Sequence, residues 1–174
     1  MKRVAIVSSA SGNGKTTVGR ALAEKLDVPF VELDALHHGP NWSEPTPQEF
    51  RATVEPIVES ESWVIDGAYR GKLGDLVLDY AELVIWLDLP LRVWLPRLLR
   101  RTAWRVIRRE ELWNGNRERL RDALHPQNSV VFYALRHYRE RRRRYPRELA
   151  SFPVIRLRTI EEVDDFLRSA ERET

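Results

Sequence analysis

The chain contains no cysteine. That absence excludes disulfides, thiolate metal ligation and cysteine nucleophiles, and leaves a cytoplasmic location as the expectation. No stretch approaches the ~18 consecutive apolar residues of a membrane-spanning helix, so no membrane association is expected. The first residues run directly into a strand pattern, without the apolar segment and cleavage site of a signal peptide. No G-x-S-x-G and no ordered Ser/His/Asp set occurs, so a hydrolase triad has no support. Repeats and low-complexity linkers are also missing. The 174 residues therefore read as one domain, long enough to bury a sizeable core.

Lysine is scarce as well, with 4 residues against 25 arginines. Guanidinium groups suit forked contacts with phosphate, and their distribution is uneven. Net charge is only +3, yet the segment from Arg92 to Arg147 carries 17 arginines and 5 acidic residues. The bland reading is a solvated basic helix face. The run Arg141-Arg142-Arg143-Arg144 fits it best, because four consecutive helical residues cannot share one face.

What is present begins with an apolar strand, Lys2 to Ser8, followed by Ser8-Ser9-Ala10-Ser11-Gly12-Asn13-Gly14-Lys15-Thr16-Thr17. Glycines at 12 and 14 let consecutive backbone N–H groups curl toward phosphate oxygens. Lys15 adds a cation at the β- and γ-phosphates, and Thr16 offers a hydroxyl to Mg²⁺. The helix expected over Lys15–Leu26 aims its positive end at the same anion. Ser11, Gly12, Asn13, Gly14, Lys15, Thr16 and Thr17 are thus the candidate ATP-binding residues. Ser9 stands where the full phosphate-loop pattern has its first glycine.

Further strands are expected at 30–33, 63–66, 83–87 and 154–157, with helices over 47–59, 72–80, from Pro90 onward, 128–145 and 160–170. Thr46-Pro47-Gln48-Glu49 reads as a capping box with proline at the first helical position. Short apolar strands alternating with helices give a five-stranded parallel sheet in a three-layer α/β/α fold. Ligands in such sheets lie at the carboxyl ends of the strands, which places Ser8, Asp34, Asp66, Asp88 and Arg158 along one edge.

Asp66-Gly67-Ala68-Tyr69-Arg70 follows the third strand. Asp66 can hold Mg²⁺ directly or through water, or simply open an Asp-Gly turn, and Arg70 can fork onto a second substrate's phosphate. Arg97 and Arg101, four apart, project from one helix face and can span a transferring phosphoryl group; Arg100, Arg105, Arg108 and Arg109 fall on other faces. Asp34, at the end of the second strand, either accepts a proton from a hydroxyl nucleophile, helps position Mg²⁺ or caps the next segment. Asp88 is the rival Mg²⁺ carboxylate, and Asp88-Leu89-Pro90 also reads as a helix cap. The adjacent His37 and His38 cannot share a face, and no paired carboxylates suggest zinc. With Trp42 they line an acceptor pocket or are ordinary loop residues. Trp63 and Trp86 belong to the core.

These residues resemble the nucleoside monophosphate kinase group of phosphate-loop kinases, of which the adenylate kinases are best known. The resemblance rests on residues 11–17, on Asp66-Gly67 with Arg70, and on Arg97-Leu98-Leu99-Arg100-Arg101 at the root of the lid. It implies ATP and Mg²⁺ as cofactors, Mg²⁺ and acceptor-phosphate roles for Asp66 and Arg70, and an adenine-contacting position at Arg158. Leu33-Asp34-Ala35-Leu36 with Trp42, and Trp63-Val64-Ile65-Asp66-Gly67, look more narrowly like bacterial adenylate kinase-like or DNA topology modulation proteins. An acceptor-binding insertion is expected at about 35–62 and a lid at about 102–127. Two departures stand out: no Thr-Gly-Asp stretch follows Asp34, and the lid lacks cysteines and the usual lid sequence.

The expected function is transfer of the ATP γ-phosphoryl group to a nucleotide or another small acceptor, with Lys15, Arg97, Arg101 and Asp34 as catalytic residues. Arg70, Asp34 and Asp66 would bind substrate. An alternative is an ATP-binding regulator that contacts nucleic acid through the basic 92–147 segment, with Trp104, Trp113, Phe132 and Tyr133 interleaved.

Overall fold

Strand β1 (Arg3–Ser8) is apolar without alternation because both of its faces are covered. Val4 and Ile6 enter one buried cluster, with Val18 and Leu22, while Ala5 and Val7 enter another, with Phe50, Val54 and Trp63. That period of two places a helical layer on each side of the sheet. The computed structural model describes residues 1–108, 111–116 and 130–170. Its strands β1, β2 (Phe30–Glu32), β3 (Trp63–Asp66), β4 (Leu83–Leu87) and β5 (Val154–Leu157) are all parallel, in the order β2-β3-β1-β4-β5. This is the expected three-layer α/β/α arrangement. Trp63 and Trp86 are buried in it.

The helices are α1 (Lys15–Leu26), α2 (Leu33–His37), α3 (Pro47–Val58), α4 (Arg70–Leu73), α5 (Leu76–Tyr80), α6 (Leu91–Arg108), α7 (Val130–Glu148) and α8 (Ile160–Ser169). Thr46 and Glu49 form the expected capping box on α3. Among the described residues no helix is long and apolar enough to cross a membrane.

Three local expectations need correction. The second strand stops at Glu32, and Asp34 lies inside the short helix α2. Glu32 therefore supplies the strand-end carboxylate. The segment 70–80 is two helices, because Gly74 at φ 63° caps α4 in a backbone region that few other residues adopt. Helix α7 runs through Pro146 to Glu148 instead of stopping at Tyr145. Residues 117–127 of the expected lid, 128–129 of the expected helix and Arg109 lie outside the described residues.

Beyond the sheet, Ala10, Trp94, Leu98, Ala134 and Tyr138 form a third apolar cluster. It packs α6 and α7 against the beginning of the loop that follows β1.

Candidate active site

The loop after β1 is held from three directions. Gly12 (φ +88°) passes so close to α6 that a Cβ there would lie 2.8 Å from the Trp94 carbonyl oxygen. Gly14 (φ +89°) has the opposite surroundings, with nothing within 4 Å of a Cβ position. One glycine thus permits close packing against α6, and the other turns the chain into α1, whose first residue is Lys15. Ser8 Oγ and Asn13 Nδ2 both donate to the Ala10 carbonyl, at 2.9 and 3.1 Å. Asn13 is buried, and its Nδ2 braces the loop.

Ser9, which replaces a glycine of the full pattern, has work of its own beneath the loop. It is fully buried, donates to Asp88 Oδ1 at 2.6 Å and accepts from Trp86 Nε1 at 2.9 Å. Asp88 is also buried and takes Arg142 Nε at 3.1 Å and Arg156 Nη2 at 2.5 Å. Its oxygens are committed to Ser9 and two guanidinium groups, which removes Asp88 as the rival Mg²⁺ carboxylate. The sequence signal for this knot was weak, since Arg142 and Arg156 come from distant elements.

At the mouth of the loop, Thr16 Oγ1 donates to Asp66 Oδ2 at 2.7 Å, and Lys15 Nζ stands 2.6 Å from Asp66 Oδ1. Asp66 is buried, and Oδ1 receives no hydrogen bond beyond that ion pair. Glu32 Oε1 lies 3.4 Å from Thr16 Oγ1. A hydroxyl with two carboxylates is an oxygen donor set suited to a hard cation, so Thr16, Asp66 and Glu32 fit Mg²⁺.

A cleft extends from this point along the carboxyl edge of the sheet. It is lined by residues 10–17, by Glu32, Asp34, His38 and Trp42, and by Arg97, Arg100, Arg101 and Arg105 of α6. Arg100 and Arg105 thus join the face expected for Arg97 and Arg101 alone. The spacing 97, 101, 105 carried that signal.

Across the cleft, Asp34 Oδ1 accepts from the Tyr69 hydroxyl at 2.6 Å. Burial, followed by the Asp34 charge, raises the Tyr69 pKa and keeps the phenol protonated. Tyr69 sits at φ 45°, an uncommon backbone for a bulky residue. Its ring packs against that of His37, tilted by 33° with centroids 4.6 Å apart; His37 is buried, while His38 lines the cleft. The adjacent histidines therefore take separate surroundings. Their ligand atoms and one of Glu44 lie within 4.8 Å of one another, but Lys72 Nζ already holds Glu44 at 2.9 Å. A second cation there would meet that ammonium group.

Three expected site residues are absent from the cleft lining: Asp66, which is buried and paired with Lys15 and Thr16, and the two arginines Arg70 and Arg158. Arg70 gives Nε to Asp75 at 2.5 Å and Nη1 to Glu148 at 3.1 Å, a pairing that raises its pKa. Arg158 is exposed, and the part of it that is held is its backbone N–H, on Glu162. Strand-end position alone did not reveal which way either side chain turns.

The family model for shikimate kinase matches residues 11–56, which contain the loop, α1, β2 and α2. A shikimate kinase of Sulfurihydrogenibium sp. is 32% identical over 112 residues, covering 56% of this chain and 67% of the relative. Shikimate kinase 2 of Yersinia pestis is 36% identical over 63 residues, 36% of this chain; the chain spans only 31% of that relative's length. Among solved structures, the Acinetobacter baumannii shikimate kinase in complex with shikimate aligns over 97% of this chain and 90% of its own, with TM-score 0.58 and 17% identity. That likeness shows the fold. The sequence match over two thirds of the Sulfurihydrogenibium protein places the chain in the shikimate kinase family of phosphate-loop kinases.

Proposed function

We propose that this family member is an ATP-dependent phosphotransferase acting on a small acceptor. The observation that carries the reading is that Lys15 and Thr16, which line one cleft with Asp34 and four arginines, converge on the buried Asp66 carboxylate beside it. The N–H groups of residues 11–17 would cradle the phosphates of ATP. Lys15 would exchange Asp66 for the β- and γ-phosphates. Thr16 and Asp66, with Glu32 beside them, would hold Mg²⁺, which when bound neutralises charge on the β- and γ-oxygens. Arg97 and Arg101 would balance charge on the moving phosphoryl group.

On the acceptor side, Asp34 is placed to take a hydroxyl proton while the acceptor oxygen bonds to the γ-phosphorus and the bond to ADP breaks. Tyr69, held protonated, would orient that carboxylate. A hydroxyl acceptor such as shikimate is favoured by the family match and by Arg70, whose guanidinium is engaged by two carboxylates. The adenylate kinase-like reading, with a nucleotide acceptor, requires Arg70 to leave both partners. The nucleic-acid reading has less support. Of the described arginines of 92–147, four line the cleft, and Arg142 and Arg144 are engaged by Asp88, Glu140 and Glu148.

The test is ADP release from ATP·Mg²⁺ with a panel of shikimate, other hydroxy acids, nucleosides and nucleoside monophosphates. Stimulation by one hydroxyl acceptor, lost in Asp34→Asn, supports the proposal. Stimulation by a nucleoside monophosphate alone, dependent on Arg70, would replace it with the nucleotide kinase reading.

A further inference from the structure

The turn Trp113–Gly115 and the segment 35–42 are more than 70 residues apart in sequence, yet they are joined by side-chain amides. Asn114 Nδ2 donates to the His38 carbonyl at 2.6 Å and lies 3.4 Å from the Ala35 carbonyl. Asn116 Nδ2 donates to the Gly39 carbonyl at 2.9 Å, and its Oδ1 accepts the Trp42 backbone N–H at 2.9 Å. The Trp113 ring stacks on His38 with centroids 5.6 Å apart.

Two details show a built junction rather than a casual contact. Asn116 is buried, and both ends of its amide are used: Nδ2 also reaches the Trp113 carbonyl at 2.8 Å, and its own carbonyl accepts the Leu112 N–H at 2.7 Å. Trp42 has φ 59°, a region that a bulky residue occupies only when its surroundings fix it. Its N–H bond to Asn116 is such a restraint. Asn114 (φ 56°) and Gly115 (φ 76°) are residue types that tolerate the left-handed turn presenting these amides.

Both segments line the cleft on its Asp34 side, through Ala35, His38 and Trp42 from one and Leu112 and Trp113 from the other. Asn13, Lys15 and Thr16 make none of these contacts.

We infer that Asn114 and Asn116 are positioning residues that fasten the 112–116 turn to the 35–42 segment, so that these two segments form one acceptor-binding wall. The inference rests on the proposed two-substrate cleft for its functional meaning, but its physical core is testable without any acceptor. Asn116→Asp sets a carboxylate against two carbonyl oxygens, whereas Asn114→Gly removes one amide and keeps the backbone conformation free of strain.

Hydrogen exchange of the full chain is compared for wild type and both variants. Amide exchange over 39–43 is expected to accelerate at least about tenfold in Asn116→Asp and less in Asn114→Gly, with β1 and β4 unchanged. Binding of the non-hydrolysable probe AMP-PNP with Mg²⁺ is expected to stay within about twofold of wild type, since the junction lies off the donor side. For whichever compound stimulates ADP release, its KM should rise about tenfold while the ATP KM holds, a split that a merely structural role would not give. Unchanged exchange over 39–43 in both variants overturns the inference, as does weakened AMP-PNP binding in Asn114→Gly. If exchange responds but no compound in the panel is phosphorylated, the junction stands and the proposed activity fails.

Discussion

On the donor side of the cleft, residues 8–17 are braced by buried groups: Ser9 on Asp88, Asn13 on Ala10, Gly12 against Trp94. On the acceptor side, the 35–42 segment is held by the amides of Asn114, which is exposed, and Asn116, which is buried, from a second segment, and by ring contacts. On the proposed function, the first arrangement would hold a triphosphate in one geometry, because core packing leaves the loop little freedom. The second is made by the end of α2 and two short helical turns joined mainly through side-chain amides. The proposed donor site is thus set by the packed core, and the proposed acceptor site by contacts between distant segments.

The sharpest way to break this contrast is at the donor. Lys15→Ala is expected to lower ADP release by on the order of 10³-fold while the fold is retained, at a stability cost smaller than that of Asp88→Asn because Asp66 keeps its hydrogen bond from Thr16. Asp88→Asn should do the reverse. Leaving Arg142 and Arg156 without their buried partner is expected to cost about 3 kcal/mol of stability in urea unfolding, the low end for such pairs because both guanidinium groups reach solvent. Its Mg²⁺ requirement should match wild type. A shifted Mg²⁺ requirement in Asp88→Asn, without loss of stability, would put that carboxylate on the metal instead.

Arg101→Ala is expected to reduce kcat about 10²-fold with the ATP KM little changed. Arg70→Ala tests the other side of the comparison. Held by Asp75 and Glu148, it should alter the acceptor KM by less than about threefold. A large rise would mean that the guanidinium leaves its partners to meet an acceptor phosphate.

The smallest effect concerns pH. Burial, then the Lys72 charge, lowers the pKa of His37 below 6.5, its ordinary value. The unfolded chain therefore binds the proton more readily than the folded one. Stability contributed by neutral His37 is complete above about pH 6.5 and declines as pH falls from there toward its folded pKa. His37→Phe, placed between Phe50 and Tyr69, should flatten that decline in pH-dependent thermal melts.

The parts legible in the sequence were those fixed by local periodicity and backbone chemistry. The unalternating run Val4-Ala5-Ile6-Val7 announced a strand covered on both faces, and Gly12 and Gly14 announced a phosphate loop. Asp66 at the end of β3 followed from the same pattern, and its place beside Thr16 follows from the register of β1 with β3. What stayed hidden depends on side-chain direction and long-range pairing. Arg70 turns to Glu148, which is 78 residues away, and Asp34 slips into a helix whose first turn overruns the strand. Asn114 and Asn116 read as an ordinary turn signal, because nothing local indicates the carbonyls they find. Ser9 looked like a defect of the motif, and only the fold supplied Asp88 and Trp86 as its partners.

The central claim is that the γ-phosphoryl group crosses the cleft from the Lys15–Thr16–Asp66 end to an acceptor held near Asp34. Phosphorus NMR of a reaction with ATP, Mg²⁺ and the stimulating acceptor follows that group directly. The account predicts a new phosphomonoester on the acceptor appearing in step with ADP, and its loss in Asp34→Asn. Inorganic phosphate as the sole product, at the same rate with and without every acceptor, would contradict it.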